Sequence, residues 1–231
     1  MNHKMLLICL SCVVIIASHA LLFSKQHFPE QRSMQIVVAR YREDVSWLTQ
    51  IQGAQSCIVY NKGDPLSIET PAQHVPLQNI GRETHTFLTH IIDNYDSLHQ
   101  YKWIVFLQGN PFDHCKNATS KINSFVSEGT SFYGLSDLLL EYTLDGGCPF
   151  HPGLPLKSFY ETMRASHSTL KDVQGSDSIR FDQGGQFIVT SSRILKHSKK
   201  FYIDARNHVD KEVNPIHAYV LERMWRVFFD D

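Results

Sequence analysis

The feature that most constrains the fold is a short apolar run in the middle of the chain, Trp103–Leu107. Its residues are aromatic, β-branched or leucine, which is typical of a buried strand. The run ends at residues 108–111, where Gly109 and an Asn-Pro pair predict a turn. Polar side chains then follow, namely Gln108, Asn110, Asp113 and His114. Because open α/β sheets bind ligands at the carboxyl ends of their strands, we expect a functional site here.

A strand–helix–strand pattern precedes this run. Gln35–Ala39 and Cys57–Tyr60 are apolar runs of strand type, and a short helix capped by Asp44 is predicted between them. This order is the signature of a parallel sheet. Residues 64–78 contain three prolines and are predicted to be a loop. We therefore expect residues 35–231 to form one Rossmann-like α/β domain with a mostly parallel sheet.

A helix is predicted from about Asn79 to about Asp96, because its apolar residues keep the helical period. Its start contains the candidate binding residues Gly81, Arg82, Glu83 and His85. The free N–H groups and positive dipole end of a helix N-terminus suit a phosphate or carboxylate. Arg82 would add a bidentate partner for such an anion. The alternative is that Arg82 and Glu83 only decorate a capped helix.

Two later segments supply further candidates. The tripeptide Gly184-Gly185-Gln186 precedes a predicted strand, and paired glycines either let backbone approach a ligand or form a bulge. The last helix, residues 215–229, is apolar around most of its circumference. Its narrow charged strip consists of Glu222, Arg223 and Arg226. Charges on a largely buried helix need partners, either in structural ion pairs or in a catalytic site.

The N-terminal segment from Met5 to Phe23 is apolar except for two serines and a histidine. It is just long enough to cross a bilayer as a helix. With Lys4 before it and small residues near position 20, it equally fits a signal peptide. We expect residues 1–23 to be a signal-anchor or a signal peptide and residues 24–34 a linker. The predicted product is a single-pass membrane protein of the secretory pathway with a lumenal or extracellular domain, secreted if the segment is cleaved.

Composition restricts the partners. The formal net charge is −1 and no basic face is evident, which argues against nucleic-acid binding. Asn117-Ala118-Thr119 is a glycosylation sequon, which has meaning only in a lumenal or extracellular domain and predicts a glycoprotein in that case. Cys57, Cys115 and Cys148 lie outside the apolar segment, and no disulfide pairing can be deduced for them.

Several motifs together resemble a family defined only as a domain of unknown function. Members of that family carry variants of VVARYxEDxSWL, NKG, NIGRExHTxL, FLQGNPFDH, GGQFxV and a terminal ERxW. In this sequence the motifs stand, in the same order, at Val37–Leu48, Asn61–Gly63, Asn79–Leu88, Phe106–His114, Gly184–Val189 and Glu222–Trp225. The resemblance therefore covers residues 35–229.

The family is similar in layout to nucleotide-sugar glycosyltransferases of the GT-A class. That resemblance implies a GT-A-like domain, a nucleotide-sugar donor, and a glycan or small hydroxyl acceptor. In the GT-A class an Asp-x-Asp pair holds a divalent cation, whereas Gln108 and Asn110 stand at that place here. Amides bind Mg²⁺ or Mn²⁺ less well than carboxylates. Either Asp113 and His114 supply the metal ligands, or Arg82 and a helix dipole neutralise the diphosphate.

A transferase of this kind needs a diphosphate site, a general base and a sugar pocket. We therefore expect the polar residues after Trp103–Leu107 to share one cleft with the turn at Gly81-Arg82. The expected diphosphate ligands are Arg40, Gly81 and Arg82. The candidate bases for the acceptor hydroxyl are Asp113, Asp182 and Glu222. The sugar pocket is expected at Gly184, Gly185 and Gln186, and the remaining binding residues are Glu83, His85, Gln108, Asn110 and Arg223.

Two other functions stay open at the level of sequence. The first is a non-catalytic lumenal binding or scaffold protein that keeps the fold without the carboxylate pair. The second is a metal-dependent hydrolase that uses His85, His90, Asp113 and His114 as ligands. His85 and His90 are five positions apart, which is wider than the spacing that places two imidazoles on one helix face.

Overall fold

The computed structural model describes residues 34–66, 70–127 and 129–229. The predicted anchor or signal peptide at residues 1–23 lies outside these ranges, as does the linker apart from its last residue. Within the described ranges, no helix combines the length and the apolar character needed to cross a membrane.

The described residues form both strands and helices. The strands are β1 (Met34–Arg40), β2 (Ser56–Asn61), β3 (Gln73–Pro76), β4 (Trp103–Gln108), β5 (Phe132–Gly134), β6 (Leu139–Tyr142), β7 (Ile179–Asp182) and β8 (Phe187–Thr190). The α-helices are α1 (Arg82–Asp93), α2 (Ala118–Asn123), α3 (Leu156–Ser166), α4 (Ser191–Ile194), α5 (Lys199–Arg206) and α6 (Ile216–Phe229). Short 3₁₀ helices occupy Ser46–Gln50, Tyr95–Gln100 and Pro111–Asp113.

The main sheet has six strands in the order β3-β2-β1-β4-β8-β5. The first four are parallel, whereas β8 runs antiparallel to both β4 and β5. A separate antiparallel pair is formed by β6 and β7. The predicted α/β domain with a mostly parallel sheet is confirmed. The chain proceeds from β1 outward to β2 and β3, then crosses to β4 on the other side of β1, so the strand order reverses there.

Both faces of the central strands are buried, which explains the nearly unbroken apolar runs in β1 and β4. Val37 and Ala39 face a core that includes Phe87 of α1 and Trp225 of α6. Alternate residues such as Val38 face a second core. That second core contains Trp47, Leu48, Val105 and Ile122.

Three predicted segments differ from the structure. The helix predicted after Asp44 is a 3₁₀ helix, Ser46–Gln50, and Asp44 Oδ1 accepts from the Ser46 N–H at 2.8 Å. The predicted loop at residues 64–78 contains β3, which was missed because an edge strand that is mostly exposed and ends in Pro76 carries no apolar pattern. The helix predicted to reach Asp96 ends at Asp93 and continues as a 3₁₀ helix.

A buried imidazole fastens α1 to the sheet. His90 is fully buried, and its Nε2 donates to Gln35 Oε1 of β1 at 3.0 Å. Its Nδ1 accepts from the Tyr60 hydroxyl of β2, also at 3.0 Å, and lies 3.3 Å from Asn94 Nδ2. These bonds require the neutral ring, and burial lowers the pKa of His90 from its ordinary 6.5 to about 3.

His90 makes folding sensitive to acid. Below the ordinary pKa the unfolded chain binds a proton at this ring that the folded chain rejects, so the free energy of unfolding falls as pH drops from about 6.5 toward about 3. The slope for one proton is about 1.4 kcal/mol per pH unit. We expect His90→Gln, which offers neutral donors and acceptors, to flatten this slope in urea unfolding measured at several pH values. His99→Gln, at an exposed position, should keep the wild-type slope; a slope unchanged by His90→Gln contradicts the assignment.

Candidate active site

An open cleft of about 290 Å³ lies at the carboxyl ends of β1, β2 and β4, beside the first turn of α1. Its lining consists of Ala39, Arg40, Tyr41, Glu43, Lys62, Asn79, Arg82, Glu83, Gln108, Val213 and Asn214. The cleft sits where the strand order reverses, which is the usual ligand position in an open α/β sheet. The end of β4 and the start of α1, expected from sequence to share one site, line the same cavity.

Arg40 joins the loops that form one wall of the cleft. Its Nε donates to the Glu43 carbonyl at 2.9 Å, and its Nη1 donates to Asn61 Oδ1 at 2.6 Å and to the Asp64 carbonyl at 3.0 Å. The residue is only 8% exposed. These bonds connect the exit of β1 with the exit of β2, so the geometry gives Arg40 a part in shaping the wall.

Glu43 closes the cleft toward β4. Its Oε2 accepts from the Tyr41 N–H at 2.7 Å and from the Arg42 N–H at 3.1 Å. A Cβ at Gly109 would lie 2.5 Å from that oxygen, so a side chain at this turn after β4 would displace the Glu43 carboxylate. Sequence reasoning did not select Glu43, although it belongs to the same motif as Arg40.

Lys62 is the second site residue that sequence reasoning missed. Its Nζ donates to the Ile80 carbonyl at 2.5 Å and to the Arg82 carbonyl, and the residue is 9% exposed. Burial lowers the pKa of Lys62 from 10.5 to about 8, while the nearby Glu83 carboxylate opposes this shift. The available signal was its place in the Asn61–Gly63 motif directly after a predicted strand.

Arg82 is held in position but still reaches solvent. Its Nη1 donates to Asn214 Oδ1 at 3.2 Å and to the Tyr219 hydroxyl at 3.1 Å. Its guanidinium carbon lies 4.9 Å from the centre of the Tyr219 ring, and its Nε is 3.6 Å from Glu83 Oε2. The side chain is 40% exposed. Arg82 is therefore oriented by its neighbours and accessible to a ligand.

Gly81 makes the turn into α1. It adopts a left-handed conformation with φ of 61°, and a Cβ there would lie 2.2 Å from the Val209 carbonyl oxygen. Its N–H donates to the Glu212 carbonyl at 2.8 Å. The amide that we expected to hold an anion is thus already paired, and the geometry gives Gly81 a conformational part.

Glu83 carries the carboxylate nearest to Arg82 and Lys62. Burial raises the pKa of the Glu83 carboxyl; Arg82 opposes the shift most strongly, and the charge of Glu222 adds to it. A carboxyl group with a raised pKa on the wall of a cleft is a common feature of functional sites. His85, one turn along, is buried away from the cleft lining, and burial lowers its pKa to about 4.

The paired glycines form a fastened loop behind the cleft. Gln108 Nε2 donates to the Gly184 carbonyl at 2.8 Å, and the Gly184 N–H donates to Glu222 Oε1 at 2.8 Å. Gln186 is fully buried; its Oε1 accepts from the Gln108 N–H and its Nε2 donates to the Pro111 carbonyl, both at 3.1 Å. Gly184, Gly185 and Gln186 do not line the cleft, so the structure separates the expected sugar pocket from the expected diphosphate ligands.

The charged side chains of α6 form ion pairs, because they are largely buried. Glu222 bonds Arg223 at 2.5 Å, and Arg226 bonds Asp182 at 2.7 Å. Arg223, 3% exposed, also donates to His151 Nδ1 at 3.2 Å and contacts the thiol of Cys148. Asp182 and Arg223 therefore lie in packed ion pairs outside the cleft lining.

The residues after β4 turn away from the cleft. Asn110 Nδ2 donates to Asp113 Oδ1 at 2.8 Å on the exposed side, and His114 packs against Gly184. Among residues 34–66, 70–127 and 129–229, no three His, Cys, Asp or Glu side chains converge as metal ligands. The hydrolase ligands His85, His90, Asp113 and His114 are accordingly not brought together.

The model of a family described as "Protein of unknown function (DUF3431)" matches residues 36–231, and the chain belongs to this family. The membership predicted from the motifs is confirmed over nearly the same residues. A search of curated proteins finds no match.

Gln186 supports Gln108, which lines the cleft, because the two ends of its amide bond the Gln108 N–H and the Pro111 carbonyl. We expect Gln186→Leu to lower the free energy of unfolding by about 1–3 kcal/mol, since it leaves the Gln108 N–H and the Pro111 carbonyl without partners. Urea unfolding measures the change. Gln183→Leu in the same loop, where the side chain is partly exposed, should change it by no more than about 0.5 kcal/mol. Equal stability of the two variants would contradict this role.

Proposed function

We propose that this member of the DUF3431 family is a glycosyltransferase-like protein that binds a nucleotide-sugar in the cleft and transfers the sugar to a hydroxyl acceptor. One observation carries the proposal: the cleft lies at the carboxyl ends of β1 and β4, where the strand order reverses. Nucleotides bind at this position in open α/β sheets. The volume of about 290 Å³ is near the lower end of the range of small-molecule sites.

The charges of the lining support a diphosphate ligand. Arg82 presents a pre-oriented guanidinium, and such a planar fork matches phosphate oxygens. Lys62 spends two of its three donors on carbonyl groups, which leaves one for a ligand. Tyr41 at the rim is 39% exposed and offers an aromatic face to a base. Together these groups match the anionic and aromatic parts of a nucleotide.

Among the three candidate bases, we assign the role to Glu222. It bonds the Gly184 loop directly behind Gln108, and its charge acts on Glu83 in the cleft wall. In the transfer, Glu222 would take the proton of the acceptor hydroxyl while that oxygen bonds the sugar carbon and the nucleotide diphosphate leaves. Glu222 and Asp182 are both ion-paired, with Arg223 and Arg226, and neither lines the cleft. Glu222 is preferred because its other carboxylate oxygen accepts from the Gly184 N–H beside Gln108. Asp113 is exposed and bonded to Asn110.

The residues expected to hold a divalent cation do not fit that role in this cleft. Asp113 and His114, the expected ligands for Mn²⁺ or Mg²⁺, are not part of the cleft lining. We therefore derive no step through a metal and assign the neutralisation of the diphosphate to Arg82 and Lys62. In the same proposal, residues 5–23 would hold the domain at the lumenal face of a membrane, where Asn117 would carry a glycan.

A second candidate, a non-catalytic binding module, is favoured by the two amides that replace the carboxylate pair. Gln108 Nε2 donates to the Gly184 carbonyl and Asn110 Nδ2 donates to Asp113, both at 2.8 Å. Both side chains are thus used in internal bonds. This function keeps the nucleotide cleft and omits the transfer step.

Thermal unfolding with a panel of nucleotide-sugars, with and without Mn²⁺, tests binding. A ligand at about one hundred times its Kd stabilises by about 2.7 kcal/mol, which raises Tm by about 5–10 °C in a domain of this size. We expect one nucleotide class to give this shift. Arg82→Ala should abolish the shift while leaving the protein folded, because the side chain is 40% exposed. Arg164→Ala, on α3 outside the cleft lining, should retain it. A panel without any shift contradicts the proposal.

Loss of turnover separates the transferase from the binding module. We expect Glu222→Gln to keep the nucleotide-dependent Tm shift and to lower donor hydrolysis or transfer by about 10²–10⁴-fold, because an amide cannot accept the proton. The measurement is release of the free nucleotide from the donor that gave the shift. If the wild-type protein releases none with any acceptor tried, the binding module is the better description.

A further inference from the structure

The anion position at the start of α1 is already filled by the chain itself. Arg82 Nε lies 3.6 Å from Glu83 Oε2, and the backbone N–H of Glu83 also lowers the pKa of that carboxyl. Lys62 lines the same cleft and donates to the carbonyls of Ile80 and Arg82. The start of α1 and the Arg82 side chain therefore already hold a carboxylate that is only 12% exposed, with a second cationic side chain in the same lining.

We propose that the cleft is an oxyanion site in which a phosphate-type ligand binds together with one proton, which Glu83 takes up. The oxyanion replaces the Glu83 carboxylate as the partner of Arg82 and takes the remaining donor of Lys62, and Glu83 becomes a neutral carboxylic acid. This inference rests on the part of the proposed function that places a diphosphate in the cleft. It adds that ligand binding depends on pH, because Glu83 must take up a proton.

The reason is the repulsion between two like charges in a small cavity. Burial and the Glu222 charge disfavour the ionised form of Glu83, while Arg82, the backbone N–H of Glu83 and, least strongly, Lys62 favour it. A bound oxyanion engages both cations and adds its own negative charge. The balance at Glu83 then shifts toward the protonated form, since protonation removes the repulsion at the lowest cost.

The other groups around the site limit the pH range of the test. The pKa of Lys62 is about 8, so this side chain stays mostly charged up to about pH 7.5. His85, which feels the charge of Lys62, has a pKa of about 4 and stays neutral above about pH 5. Glu43 is the second carboxylate in the lining and needs its own variant. A profile between these limits reports mainly on Glu83.

Sulfate is the probe, because it resembles phosphate and keeps a constant charge over this range. Binding to the full chain is measured by calorimetry between about pH 5 and about pH 7.5, in buffers of different ionisation heat. We expect uptake of up to one proton per sulfate and an affinity that falls by up to about tenfold per pH unit as pH rises. Glu83→Gln should bind sulfate with no pH slope, and more tightly than wild type at the upper end. Glu43→Gln should keep the slope.

The proposal is overturned if sulfate does not bind, or if it binds without proton uptake. It is also overturned if the affinity of Glu83→Gln depends on pH as in the wild type, or if Glu43→Gln loses this dependence instead. Wild-type sulfate affinity in Arg82→Gln would contradict it as well. Proton uptake by the wild-type protein decides the question even if Glu83→Gln does not fold. Sulfate has neither base nor sugar, so the two experiments fail independently. A sulfate affinity that does not change with pH leaves nucleotide binding untouched, and a nucleotide panel without a Tm shift leaves proton-coupled sulfate binding untouched.

Discussion

The parallel pairing of β1 with β4 fixes the place of the cleft at the edge of the sheet. Ala39 stands opposite Gln108 in this register, so both strands end at the same level and release their polar turns side by side. The pair is buried on both faces, and a slip by one residue would turn the apolar side chains of one strand to the wrong face. The packing of the core therefore sets the register, and the register sets the geometry of the cleft.

Lys62 and His90 fix the position of α1 relative to the ends of the strands. Lys62, directly after β2, donates to carbonyls at the start of the helix, while His90 bonds β1 and β2 from its far end. Each group is buried at a cost to its charged form. That cost is tolerated because each polar atom finds a partner. The helix therefore presents Arg82 and Glu83 at a fixed place relative to the ends of the strands.

The charged residues divide into two sets according to whether they line the cleft. Asp182 with Arg226 and Glu222 with Arg223 pair at the packed contact between α6 and the glycine loop. A buried charge without a partner is strongly destabilising, so these pairs fasten the helix in place. Arg82, Glu83 and Lys62 border the cleft instead, where a ligand or a proton can change their balance.

The sequence by itself determined the parallel centre of the sheet, the helix at Arg82, the buried final helix and the family, because long apolar runs and the spacing of motifs are local properties. It also indicated that the end of β4 and the start of α1 share a site. Only the tertiary structure decided which polar atoms are free: it paired the Gly81 amide with Glu212, closed Gln186 onto Gln108, and brought Lys62 and Glu43 into the lining. The edge strand β3 likewise becomes evident only from its pairing with β2. Pairing between residues distant in sequence depends on packing in three dimensions, and residue type alone does not encode it.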